Sequence, residues 1–112
     1  MTTKHYQGDR TIDGIVVLVD GRPLEQRLDV RRFSENGFEW SYQGAAPRQL
    51  ALALLADHLG DPVRALHLSE AFMRRQVAEF GNTWELTGED IEAALRDIDP
   101  PGPPPAQPPS PS

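Results

Sequence analysis

Apolar and polar residues recur along this chain with two different periods, and both are clearest between Gly37 and Asp61. Phe38, Trp40 and Tyr42 alternate with Glu39, Ser41 and Gln43, the period of two that marks a half-buried strand. After Gly44-Ala45-Ala46, Pro47 predicts the opening of a helix, where its missing N–H costs nothing. Leu50, Leu52, Leu54, Leu55 and Leu59 follow with alanines between them. A helix apolar on nearly every side is a buried one, so strand and helix together form the expected middle of the fold.

Upstream, His5 to Arg10 reads as a short first strand. Ile12 to Val19 reads as a second, since Ile15-Val16-Val17-Leu18-Val19 is mostly β-branched and stiff at χ1. Asp20-Gly21 suits a type I′ hairpin turn, in which both central residues take positive φ. A returning strand over Arg22 to Leu28 is expected to start at an edge or bulge because of Pro23. Asp29 to Asn36 has no clear period and suits one helical turn or an irregular crossing. Asn36-Gly37 signals a turn into the aromatic strand.

Downstream, Gly60 is a natural left-handed helix end. Asp61-Pro62 supplies an N-cap acceptor and an N1 proline for a second, antiparallel helix. Its expected apolar side is Val63, Leu66, Met73, Val77 and Phe80, with Arg64, His67, Arg74, Arg75 and Glu79 opposite and Gly81-Asn82 as its end. Trp84 is expected to plug the gap before the third helix. Thr87 with Asp90 makes a capping box there, Leu86 with Ile91 a hydrophobic staple, and Ile91, Ala94, Leu95 and Ile98 an apolar stripe. These elements predict a small α+β domain over residues 1–98. Its expected form is an antiparallel meander of three or four strands, then three helices, with the central helix packed on the sheet. Residues 99–112 hold eight of the eleven prolines and predict a disordered, polyproline-II-like tail.

Composition narrows the classes of function. The chain has no cysteine, which removes disulfides and thiolate metal sites and suits a reducing compartment. No apolar run approaches the roughly 20 residues of a membrane helix, and the start lacks a signal-peptide pattern, so a soluble cytoplasmic protein without membrane contact is expected. The net charge is −6. Residues 1–56 carry seven Lys/Arg and seven acids, whereas residues 57–112 carry four arginines and ten acids. Such an acidic helical half is poorly suited to phosphate neutralisation and favours a basic partner if any charged one.

Few residues suggest chemistry. Gly44, Arg48 and Gln49 lie at a helix N-terminus, where free N–H groups favour an anion, but Pro47 removes one donor and no phosphate-loop lysine follows. Adjacent Asp57 and His58 sit about 100° apart on a helix and do not face each other as a catalytic dyad does. His58, which joins Gly44, Arg48 and Gln49 as a ligand-binding candidate, falls on the buried side and suits a rim histidine near the negative end of the helix dipole. His5, His58 and His67 show no metal-ligand spacing, and no nucleophile elbow surrounds Ser41 or Ser69. The expectation is therefore no catalytic residue, no metal and no cofactor. Arg22, Arg27, Arg31 and Arg32, with Tyr6, Trp40 and Tyr42, suggest a basic aromatic sheet face for single-stranded nucleic acid. Arg31, Arg32, Asp57, Glu89 and Glu92 are the candidates for a surface that meets another protein.

Several short motifs in order resemble one family. They are Tyr6-Gln7-Gly8-Asp9-Arg10, Val19-Asp20-Gly21-Arg22-Pro23-Leu24 and Gly37-Phe38-Glu39-Trp40, then Pro47, Gln49, Leu50 and Ala51. Ala56-Asp57-His58-Leu59-Gly60-Asp61, Ala65-Leu66 and Trp84-Glu85-Leu86-Thr87 complete the set over roughly residues 6–98. The chain resembles the small prokaryotic and viral proteins known as domain of unknown function 6166. This chain has Gly44-Ala45-Ala46 where that family is often glycine- and serine-rich. The resemblance implies no activity. It suits a non-enzymatic protein-binding module, an adaptor or inhibitor of the kind encoded by bacterial or phage mobile elements. The alternatives are nucleic-acid binding through the sheet-side arginines and binding of a small anion at Gly44–Arg48.

Overall fold

Asp20 and Gly21 both take positive φ, 50° and 83°, so the expected hairpin turn forms and pairs Val19 with Arg22. The computed structural model describes residues 4–35 and 37–98. The expected tail over 99–112 and the Asn36 half of the Asn36-Gly37 turn lie outside the described residues. Strands β1 (His5–Thr11), β2 (Gly14–Val19) and β3 (Arg22–Pro23) precede helices α1 (Ala45–Leu59) and α2 (Pro62–Arg75). A 3-10 turn (Val77–Glu79), strand β4 (Thr83–Thr87) and helix α3 (Gly88–Ile98) complete the described residues. The strands form one antiparallel sheet in the order β3-β2-β1-β4, so the α+β class is as expected.

The identity of one strand is not. The aromatic segment from Phe38 to Gln43 pairs with nothing in the sheet. Ser41 sits at φ 80°, outside the strand region, and breaks the alternation in space. Its N–H donates to Val77 C=O at 3.1 Å and its hydroxyl to Phe80 C=O at 2.5 Å, so the segment is tied to the end of α2 instead. The place beside β1 goes to β4, where Trp84 and Leu86 point inward while Thr83 and Glu85 face solvent. Trp84 is thus a strand residue rather than a plug between helices. Its indole lies across Gly8, where an added Cβ would come within 2.4 Å of the ring.

Other boundaries shift for local reasons. The returning strand is only Arg22 and Pro23, after which the chain leaves the sheet. Helix α1 begins at Ala45, two residues before Pro47, which still falls among the four N–H groups that need no helical partner. Helix α2 starts as expected, with Asp61 Oδ1 accepting from Arg64 N–H at 3.2 Å, but it ends at Arg75. Its buried stripe is Ala65, Ser69, Phe72 and Met73, and Val63 is exposed. The capping box of α3 is reciprocal: Thr87 N–H donates to Asp90 at 2.9 Å, and Asp90 N–H to the Thr87 hydroxyl at 3.1 Å.

At the centre stands α1. Pro47 and every residue from Gln49 to Ala56 is buried. Tyr6, Val17, Trp84 and Leu86 of the sheet share its core with Trp40, with Phe72 and Val77, and with Ile91 and Leu95 of α3. Each of its buried leucines contributes about 1.5–3 kcal/mol by leaving water, so this helix carries much of the fold. No described helix is long and apolar enough to cross a membrane.

Candidate functional site

Because α1 is apolar, each polar side chain on it needs a specific partner, and the partners reveal its role. Gln49 is fully buried with both ends of its amide used. Its Oε1 accepts from the N–H groups of Phe33 at 2.7 Å and Ser34 at 3.2 Å. Its Nε2 donates to the carbonyls of Gln26 at 2.7 Å and Arg31 at 3.1 Å. One side chain therefore replaces the ladder bonds that the crossing over residues 26–34 lacks. Arg48 turns toward α2: Nε donates to Ser69 Oγ at 3.0 Å, and Glu70 lies 3.7 Å from Nη1. Its guanidinium also stacks over Phe33, 4.2 Å from the ring centroid. Gly44 caps the helix with extended backbone and no side-chain bond. Gly44, Arg48 and Gln49 thus neighbour one another without converging on a common point.

Asp57 and His58 diverge, as helix geometry requires. Asp57 Oδ2 accepts from the buried Tyr6 hydroxyl at 2.7 Å and from Lys4 Nζ at 3.0 Å. Burial, then the hydrogen bond to Asp57 and its charge, pushes the Tyr6 phenol far above its ordinary range, so it stays a donor. His58 Nε2 lies 2.6 Å from Glu92 Oε2 and ties α1 to α3. Among the other proposed contact residues, Arg32 and Glu35 lie 3.8 Å apart, and Arg31 is over the outer side of Phe33, 5.6 Å from its centroid. Glu89 is exposed on α3. Among the described residues, no three His, Asp or Glu side chains gather as metal ligands do.

Arg10, to which sequence reasoning gives no site role, makes several contacts at once. Its Nη2 donates to Glu39 Oε1 and Trp40 C=O, each at 2.8 Å, and its Nη1 to Asn82 at 2.7 Å. The guanidinium lies 4.8 Å from the Trp40 ring centroid. Burial disfavours the Glu39 carboxylate, but Arg10 and the Trp40 N–H outweigh it and hold the carboxyl below its ordinary range.

Among the described residues, two surfaces carry exposed apolar groups next to unpaired strand or groove features. The first is the outer edge of β2. Val17 C=O accepts from Leu24 N–H at 3.0 Å, so alternation turns the backbone of Ile15 to that same side. The register with β3 covers only Leu18 and Val19, so among the described residues no strand lies beside Ile15. Ile12 is fully exposed at the hairpin tip, and Ile15 and Val16 are 36% and 40% exposed. Val16 and Leu18 continue this apolar edge onto the solvent face of the sheet, beside Gln7, Asp9 and Glu85. None of the arginines proposed for nucleic acid lies on that face of β1, β2 or β4, and Tyr6 and Trp40 are buried. The second surface is an open groove of about 510 Å³ at the start of α1, between Phe33, Phe38, Tyr42 and Ala45-Ala46. The β-branched run at Ile15–Val19 marks a strand, but its pattern does not show that β3 ends after two residues and leaves Ile15 at an edge.

A family model described as a family of unknown function, DUF6166, matches residues 6–97, and the chain belongs to that family. No curated protein and no solved structure matches it.

Proposed function

We propose that this member of the family is a non-enzymatic protein-binding module, an adaptor or inhibitor, which receives an extended segment of another cytoplasmic protein along the outer edge of β2. The observation that carries the reading is the outward-facing backbone of Ile15 beside exposed Ile12 and Val16. Sheets ordinarily guard such edges with charge, proline or a covering loop, as Pro23 does for β3. An added strand satisfies the free N–H and C=O and buries the flanking apolar side chains in one step. The engagement of Arg48, Gln49, Asp57 and His58 in bonds that hold elements together supports binding rather than catalysis.

Affinity capture from the native host with the tagged full chain tests this reading against two variants. Ile15→Pro removes the outward donor at an edge position, and Val16→Lys charges the apolar flank. The expected result is a captured protein that both variants lose while Glu92→Gln keeps it, with all three variants retaining the native circular dichroism spectrum. Capture unaffected by Ile15→Pro overturns the edge. Salt-sensitive binding to generic single strands in its place supports the nucleic-acid alternative, since contacts through several arginines weaken steeply with salt.

A further inference from the structure

The groove at the start of α1 differs from the β2 edge in shape and chemistry. Phe33, Phe38 and the half-exposed Tyr42 line it together with Ala45 and Ala46, and Ser34, Glu35 and Glu39 add a polar, acidic part. The Tyr42 ring lies against Gly44, where an added Cβ would come within 2.8 Å of it. Aromatic rings beside small residues suit the flat, rigid rings of proline, and a polyproline-II segment loses little entropy on docking there.

The chain itself supplies such a segment. Residues 99–112 contain eight prolines, and beyond Asp99 no side chain is charged. Their starting point is also favourable. Helices α1 and α2 run antiparallel, so the first turn of α1 lies at the end of the molecule where α2 finishes, as the 3.1 Å bond between Ser41 and Val77 shows. Asp97 lies 3.6 Å from Arg75, the last residue of α2, so α3 also ends there. From Ile98 to the groove is about two helix-to-helix steps of roughly 8–10 Å each. Fourteen residues at about 3.1 Å per residue span roughly 40 Å, twice what is needed. A tether this short also gives an effective concentration on the order of millimolar, which compensates for the weak affinity of isolated proline–aromatic contacts.

We propose that the proline-rich segment over residues 99–112 docks in its own chain's aromatic groove at Phe33, Phe38 and Tyr42. The segment acts as an internal ligand of that groove, and any outside proline-rich segment must displace it. The absence of cysteine allows a clean test on the full chain. A nitroxide on Ser112→Cys is expected to broaden the backbone amides of Phe33, Phe38 and Tyr42 several-fold more than those at the far end of α1. Tyr42→Ala is expected to abolish that preference. If Tyr42→Ala disturbs the fold, replacement of Pro103, Pro104 and Pro105 together by alanine leaves the domain untouched and is expected to have the same effect. Broadening that is uniform, or that survives the proline replacements, overturns the proposal. Mixing isotope-labelled chain with separately spin-labelled chain supplies the last arm. Broadening of the groove in that mixture assigns the contact to a second copy and also overturns it.

Discussion

Single residues on α1 hold the rest of the chain to it, and their loss should cost more than their exposure suggests. Gln49 satisfies four backbone groups, and each such bond is worth about 1 kcal/mol net. Gln49→Ala leaves those groups to find water or stay unpaired in the interior, so a loss of roughly 3 kcal/mol or more is expected. Chemical denaturation measures it, and a loss below about 1 kcal/mol would mean that the crossing is held by its side chains instead. Asp57 makes the same argument with a charge. Asp57→Ala orphans the buried Tyr6 hydroxyl at a cost of about 1–3 kcal/mol, whereas Tyr6→Phe removes the need for an acceptor. The double variant should therefore cost clearly less than the sum of the two single ones, and strict additivity would show that the pair is not coupled.

Elements whose signal is local were legible in the sequence, and those decided by competition were not. Asp20-Gly21, Gly60 and the Thr87–Asp90 box each form as their residues require, because turn and cap chemistry acts within four residues. Phe38 to Gln43 and Thr83 to Thr87 offer similar alternations, and only the register against β1 decides between them. Gly8 settles that contest, since its missing side chain leaves room for Trp84 and β4. The candidate site shows the same division. The polarity of Arg48, Asp57 and His58 was visible, but their partners lie on distant segments, as does Glu39 for Arg10. That last pair fastens β1 to the aromatic segment and should be visible in the pH dependence of stability. A carboxyl whose folded pKa is lowered stabilises the fold above its unfolded value, ordinarily 4.5, and loses that contribution as pH falls through the folded value. Thermal melts should show Glu39→Gln less stable than the parent at neutral pH. The difference should shrink as pH falls below 4.5 and through the lowered folded value, where the parent's own carboxyl protonates. A difference that stays constant over that range would assign the cost to packing.

At the scale of the molecule, one buried helix has the sheet, two helices and an irregular crossing around it. Tyr6 of the sheet, Phe72 of α2 and Ile91 of α3, all fully buried, share the core that α1 centres, and Tyr6 also hydrogen-bonds Asp57. The crossing reaches it through Gln49, which binds backbone rather than side chains. These connections differ in kind, and so should the opening of the parts they hold. Amides of α1 from Leu50 to Ala56 exchange with solvent only when every neighbour lets go, so their protection should equal the global stability. Residues 26–34 are held to α1 by the Gln49 amide and the Arg48–Phe33 stack, with Val30 and Phe33 only partly buried, so they should open earlier and separately. Native-state hydrogen exchange on the parent and on Leu54→Ala tests the hierarchy. Leu54→Ala opens a cavity in the central helix and should lower protection of α1 and the sheet by the same amount, about 2–5 kcal/mol. In a domain whose whole stability is of the order of 5–15 kcal/mol, that is a large share. The 26–34 amides should lose little, because their opening does not pass through α1. Equal losses across both regions would mean that the domain opens as one unit and that the crossing is part of the core rather than a layer fastened to it.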